Sequence, residues 1–214
     1  MVNAPSSTVI RAFAVLVMFA LFPAFSLGAP SIIRFNLVPN PAFVKCLADT
    51  SGKPPTAVVT VVRGQLNDVL SLTARHIRPG LAFDLFTVER SNLQANGTPD
   101  AAFKNFGLAW YQSDLRASKS GTATVNIKTI LLDQIFGFDA EVGLIPKNTF
   151  HVGFWFNNPA DAANCGFDTT KPTPFNGDHR AGPLAMISLP NSYTGLGPLC
   201  ANPNSQTDPI SCNP

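Results

Sequence analysis

Charge is scarce in this sequence. Asp, Glu, Lys and Arg make up 13% of its 214 residues, about half the quarter usual in soluble domains. The 15 basic and 13 acidic side chains nearly cancel and nowhere cluster. That excludes the basic patch a nucleic-acid-binding or anionic-membrane-binding protein needs. Long apolar runs are also missing. The eleven residues Ala12 to Phe22 fall well short of the roughly twenty that a membrane-spanning helix requires, so no membrane insertion is expected. The polar C-terminal stretch excludes the hydrophobic signal of a C-terminal lipid anchor. There is no G-x-S-x-G, H-E-x-x-H, phosphate loop, dinucleotide fingerprint or EF-hand loop, which removes the enzyme classes those motifs carry. Trp and Tyr number two each against 17 Phe. Phe fills cores, whereas sugar- and base-stacking surfaces draw on rings with a polar tip.

What is present begins with an address. Arg11 precedes the apolar run, Pro23 breaks it, and the small residues Ala24, Ser26 and Gly28 follow. This is the layout of a secretory signal peptide over residues 1–28, and it predicts a secreted protein, extracellular or periplasmic. An oxidising compartment turns the even set Cys46, Cys165, Cys200 and Cys212 into two expected disulfides rather than a metal site, since no two are spaced C-x₂₋₄-C. Three connectivities exist. Ease of short-loop closure favours Cys200–Cys212, which leaves Cys46–Cys165.

The remaining chain reads as strands punctuated by Pro and Gly. Segments 56–62, 68–77, 81–89, 105–112, 121–129, 149–156 and 184–189 carry β-branched or alternating apolar patterns. Leu70, Leu72 and Ala74 fall on one face, Ser71, Thr73 and Arg75 on the other. The segment 81–89 is apolar on both faces, which predicts a central, covered strand. Two short helices are expected at 97–103 and 157–164, where Thr98 or Asn158 precedes a Pro at the first helical position. A third candidate is 129–137. The pattern predicts an all-β fold, an immunoglobulin-like antiparallel β-sandwich with short helical insertions, occupying residues 29–197 as one domain, and a disulfide-held tail over 198–214.

The unit LNDVLSLTARHIRPGLAFDLFTV (66–88) resembles the strand–turn–strand units of immunoglobulin-like sandwiches, an architecture that copper/zinc superoxide dismutases share. The close H-x-H pair of those dismutases is absent, so the resemblance implies a fold and no activity.

Four places hold the candidate functional residues. In TFHVGFWF (149–156) strand alternation sets Phe150, Val152, Phe154 and Phe156 toward the core, and His151, Gly153 and Trp155 on the other face. His151 and Trp155 are therefore candidate ligand-binding residues. Asp84 sits between apolar neighbours, where a carboxylate is costly unless paired. A hairpin at Arg78-Pro79-Gly80 would bring His76 near it on the adjacent strand, making His76 and Asp84 a second candidate pair. The loop FNGDHRAGP (175–183) exposes His179. Convergence of His76, His151 and His179 would make a zinc or copper site. Asn96-Gly97-Thr98 is an N-glycosylation sequon.

These observations predict a secreted non-enzymatic binding or structural module, without cofactor, whose partner is an extracellular polymer, glycan or protein. The alternative expectation is a metal-dependent copper/zinc-type protein or enzyme built on the histidines.

Overall fold

The computed structural model describes residues 32–65, 67–128, 136–139 and 143–213. The signal peptide expected over 1–28, and most of the helix candidate 129–137, lie outside the described residues.

Eight strands form one antiparallel sheet: β1 (Ile32–Pro39), β2 (Thr56–Val62), β3 (Val69–Arg75), β4 (Ala82–Val88), β5 (Ala109–Arg116), β6 (Ala123–Lys128), β9 (His151–Phe156) and β10 (Leu184–Ser188). Two short strands, β7 (Phe136–Asp139) and β8 (Leu144–Asn148), pair as a separate ribbon. The order in the main sheet is β5-β4-β9-β10-β1-β2-β3-β6. Its two terminal strands, β5 and β6, lie against each other, so the sheet curls nearly into a barrel. The all-β expectation holds. The finer immunoglobulin-like sandwich is not confirmed, because the pairing runs through one continuous sheet.

Side-chain alternation explains the curl. On β2, Ala57, Val59 and Val61 are buried while their neighbours are not. On β3, Leu70, Leu72 and Ala74 repeat the pattern. Phe83 and Leu85 of β4 and Phe154 and Phe156 of β9 complete the interior, with Phe83 set edge-on to Phe154 at 4.9 Å. Each such buried Phe stabilises the fold by about 1.5–3 kcal/mol relative to exposure. A second apolar cluster lies on the outer face of β4, β9 and β10. There Val88, Trp155, Leu184 and Ile187 are covered by Leu93, Phe106 and Phe175 from two loops. β4 is thus central and covered on both sides, as its double-sided apolar sequence predicts.

Three local expectations resolve differently. The segment 97–103 forms turns, not a helix: Ala102 N–H bonds the Asp100 side chain and Phe103 N–H the Asp100 carbonyl, the local competition that makes Asp a turn former. The segment 157–164 does wind up, as a 3₁₀ helix, Pro159–Cys165, with Ala160 N–H donating to Asn158 Oδ1 at 3.0 Å. Arg78–Gly80 makes no hairpin. β3 pairs with β2 and β6, and β4 with β5 and β9, so the turn carries the chain past the β5–β6 seam in a Greek-key crossover.

Both disulfides form as the short-loop argument favours. Cys46–Cys165 ties the single helical turn α1 (Val44–Leu47) to the 3₁₀ helix. Cys200–Cys212 closes the tail, where β11 (Pro203–Asn204) pairs with β12 (Ser211–Cys212).

Candidate functional site

The outer face of β4 carries Asp84 and Phe86, and the register with β5 decides what they meet. Asp84 faces Asp114 directly and Phe86 faces Tyr111, with a register shift between Leu85 and Phe86. The shift leaves Gln112 as the extra residue of a bulge. Strict alternation would put Tyr111 and Asp114, three positions apart, on opposite faces. The bulge puts them on one face, and Tyr111 Oη donates to Asp114 Oδ1 at 2.8 Å. From the end of β9, Asn157 Nδ2 lies 3.1 and 3.0 Å from the two Asp84 oxygens, donating to the carboxylate.

These groups floor a cavity of about 570 Å³, whose opposite wall is Pro174, Asn176, Gly177 and His179. The wall is fixed by its own bonds. Thr173 and Ala181 exchange backbone hydrogen bonds. Asn176 Nδ2 donates to the Asn157 carbonyl at 2.9 Å, and its Oδ1 receives Asp178 and Arg180 N–H. Below, Phe175 stacks on Trp155 at 4.0 Å with the rings 5° from parallel.

The electrostatics of the floor are unbalanced. Asp84 is 2% exposed. Burial pushes its carboxyl up to about 6, against the Asn157 bond that lowers it, and neighbouring Asp114 pushes it further up. Burial first, and then Asp114, drive the Tyr111 phenol up to about 12, so it remains a donor. Among the described residues neither Asp84 nor Asp114 is ion-paired with a Lys, Arg or His. Two adjacent carboxylates therefore face a cavity whose described lining holds no Lys or Arg, its one basic side chain being His179.

The other sequence candidates disperse. Trp155 is Asp84's register partner on β9, but it is 0% exposed, sealed under Phe106 and Phe175. It supports the site's floor and does not reach the cavity. His151 lies at the far end of β9, opposite Val88. It is buried, with Nδ1 3.1 Å from the Ser188 carbonyl and 3.0 Å from Ser188 Oγ, and burial pushes it down to about 4. His76, held at φ 59°, sits by Asp49 Oδ2 at 3.7 Å and Ser51 Oγ at 3.4 Å. Asp84 is not its neighbour, because the hairpin that would join them does not form. His179 alone shares the Asp84 cavity. The zinc or copper cluster of His76, His151 and His179 does not assemble, and among the described residues no three His, Cys, Asp or Glu side chains converge on a metal position.

Sequence reasoning found Asp84 but missed Asp114 and Asn157. Their signal was tertiary: Asp114 lies beyond the segment that alternation marks as a strand, and Asn157 reads as a strand terminator. No family model, curated protein or solved structure matches this chain.

Proposed function

We propose that the protein is a secreted, non-enzymatic binding module whose principal ligand is an organic cation, an amine or quaternary ammonium group, held in the Asp84–Asp114 cavity. The observation that carries this reading is the facing carboxylate pair, neither member of which is ion-paired among the described residues. Burying one acid beside another is unfavourable, and a positive ligand group would turn that repulsion into two attractive contacts. Phe86 and Tyr111 offer ring faces to the alkyl part or to the charge itself. The exported state rests on the signal-like N-terminus and on the two disulfides, which suit an oxidising compartment. The immunoglobulin-like layout belongs to the same reading, with opposite halves of the curled sheet serving as facing layers that present loops 89–108 and 168–183.

Calorimetric titration of the mature, disulfide-bonded chain tests the proposal, using butylammonium and choline as probes with butanol and acetate as neutral and anionic controls. The cations bind near pH 8 and the controls do not. Binding weakens roughly tenfold near pH 5, where Asp84 is mostly protonated. Equal binding of butanol and butylammonium, or no binding of either cation, would refute it.

A further inference from the structure

A second cavity, of about 500 Å³, shares no residue with the first. His151 is part of its lining, 2% exposed overall. A carbonyl oxygen only accepts, so the short contact to the Ser188 carbonyl assigns the proton to Nδ1. Nε2 is then a lone pair, and it has no hydrogen-bond partner among the described residues. The ring cannot easily turn away. Ser188 holds one edge, and Gly197 packs so closely on the other that a Cβ there would collide with the Phe150 carbonyl and the His151 ring.

Nε2 is not among the fully buried atoms that lack a partner, so this acceptor, on a side chain that lines the cavity, is open to a donor. The lining says what kind. Its ionic side chains are two of each sign, Glu89 and Asp100 against Arg90 and Lys104, and Arg90 already bonds Glu89 at 3.2 Å. A charged ligand gains little there. Ser192 and Asn191 add polar groups to the lining and Phe103 an apolar ring, the combination that suits a hydroxyl-rich molecule with one apolar face.

We infer that this cavity is a second binding site, for a neutral carbohydrate of one or two residues, with a sugar hydroxyl donating to His151 Nε2. Burial keeps the imidazole neutral, so the acceptor persists at ordinary pH. The site is independent of the cation cavity, and either holds without the other.

Long-range ¹H–¹⁵N spectra of the mature, ¹⁵N-labelled chain report Nε2 directly. Glucose, galactose, mannose, N-acetylglucosamine, cellobiose and chitobiose are titrated in turn. At least one moves the His151 Nε2 resonance upfield and saturates with Kd near or below about 1 mM, while the His76 and His179 rings stay fixed. Lys104→Ala and Asn191→Ala, on the exposed rim, weaken that sugar's binding by roughly tenfold without disturbing the Nδ1 bond to Ser188. Co-sedimentation with insoluble cellulose and chitin separates two supporting cases: a reader of polymer ends sediments, and a receptor for free sugar does not. The inference fails if no sugar moves Nε2, if Zn²⁺ or butylammonium moves it and sugars do not, or if both rim variants bind the sugar unchanged.

Discussion

Replacing Asp84 by Asn (D84N) removes one charge from the carboxylate pair while keeping its shape and an oxygen for Asn157 Nδ2. The folded protein raises this carboxyl from 3.8 to about 6. Folded Asp84 therefore holds a proton that the unfolded chain has released between about pH 4 and pH 6. The penalty is absent below that window and fully present above it, so the wild type loses stability as pH rises through about 6. About two units at 1.4 kcal/mol each give a ceiling near 3 kcal/mol. The cavity admits water and salt, so screening brings the working figure to about 1–2 kcal/mol. Urea unfolding of wild type and D84N, disulfides intact, measures it. Near pH 8 the variant is more stable by about 1–2 kcal/mol, and near pH 4.5 the difference shrinks toward zero. A variant less stable than wild type near pH 8, or a gain equal at both pH values, would refute the reasoning.

His151 titrates in the opposite sense. Its folded value, about 4 against an ordinary 6.5, means that stability is full above about pH 6.5 and falls by up to about 3 kcal/mol as pH drops toward 4. Urea midpoints of D84N across that range, where the Asp84 contribution is gone, should show the fall, and a flat profile would contradict it. The two tryptophans should separate optically. Trp155 is 0% and Trp110 51% exposed, so Trp110→Phe leaves blue-shifted emission that acrylamide barely quenches, and Trp155→Phe leaves red-shifted, quenchable emission. Removing Cys46–Cys165 by paired Ser substitution, with a sequence separation of 119, should cost up to about 5 kcal/mol by chain-entropy reasoning, against about 3 for Cys200–Cys212. Unfolding midpoints give the order, and the reverse order would contradict it.

What the sequence made legible was local. Alternation marked β2, β3, β6, β9 and β10, and the double-sided apolar run marked β4 as central. Asn158 before Pro159 marked the 3₁₀ start. β5 was only half visible, because the bulge at Gln112 breaks the period that alternation depends on. β1 escaped notice: Arg34 and Asn36 on its exposed face and Pro39 at its end dilute its pattern, although it bridges β10 and β2. Pairing was the harder quantity. Pro79-Gly80 signals a turn, but nothing in a turn says which strands then pair, and loop closure penalises long separations only slowly. The same gap hid the site. Asp84 was conspicuous as a charge among apolar residues, while Asp114, 30 positions on, and Asn157, 73 positions on, reach it only through sheet register.

The carboxylate pair is the centre of this account, and ¹³C NMR of the aspartate side-chain carboxyls tests it most directly. A pH titration of the disulfide-bonded protein should find Asp84 near 6 in buffer, and lowered by about one unit or more when butylammonium saturates the cavity, because a cation favours the ionised acid. An Asp84 that titrates near 4 in buffer, or one whose value near 6 ignores the cation, would contradict it.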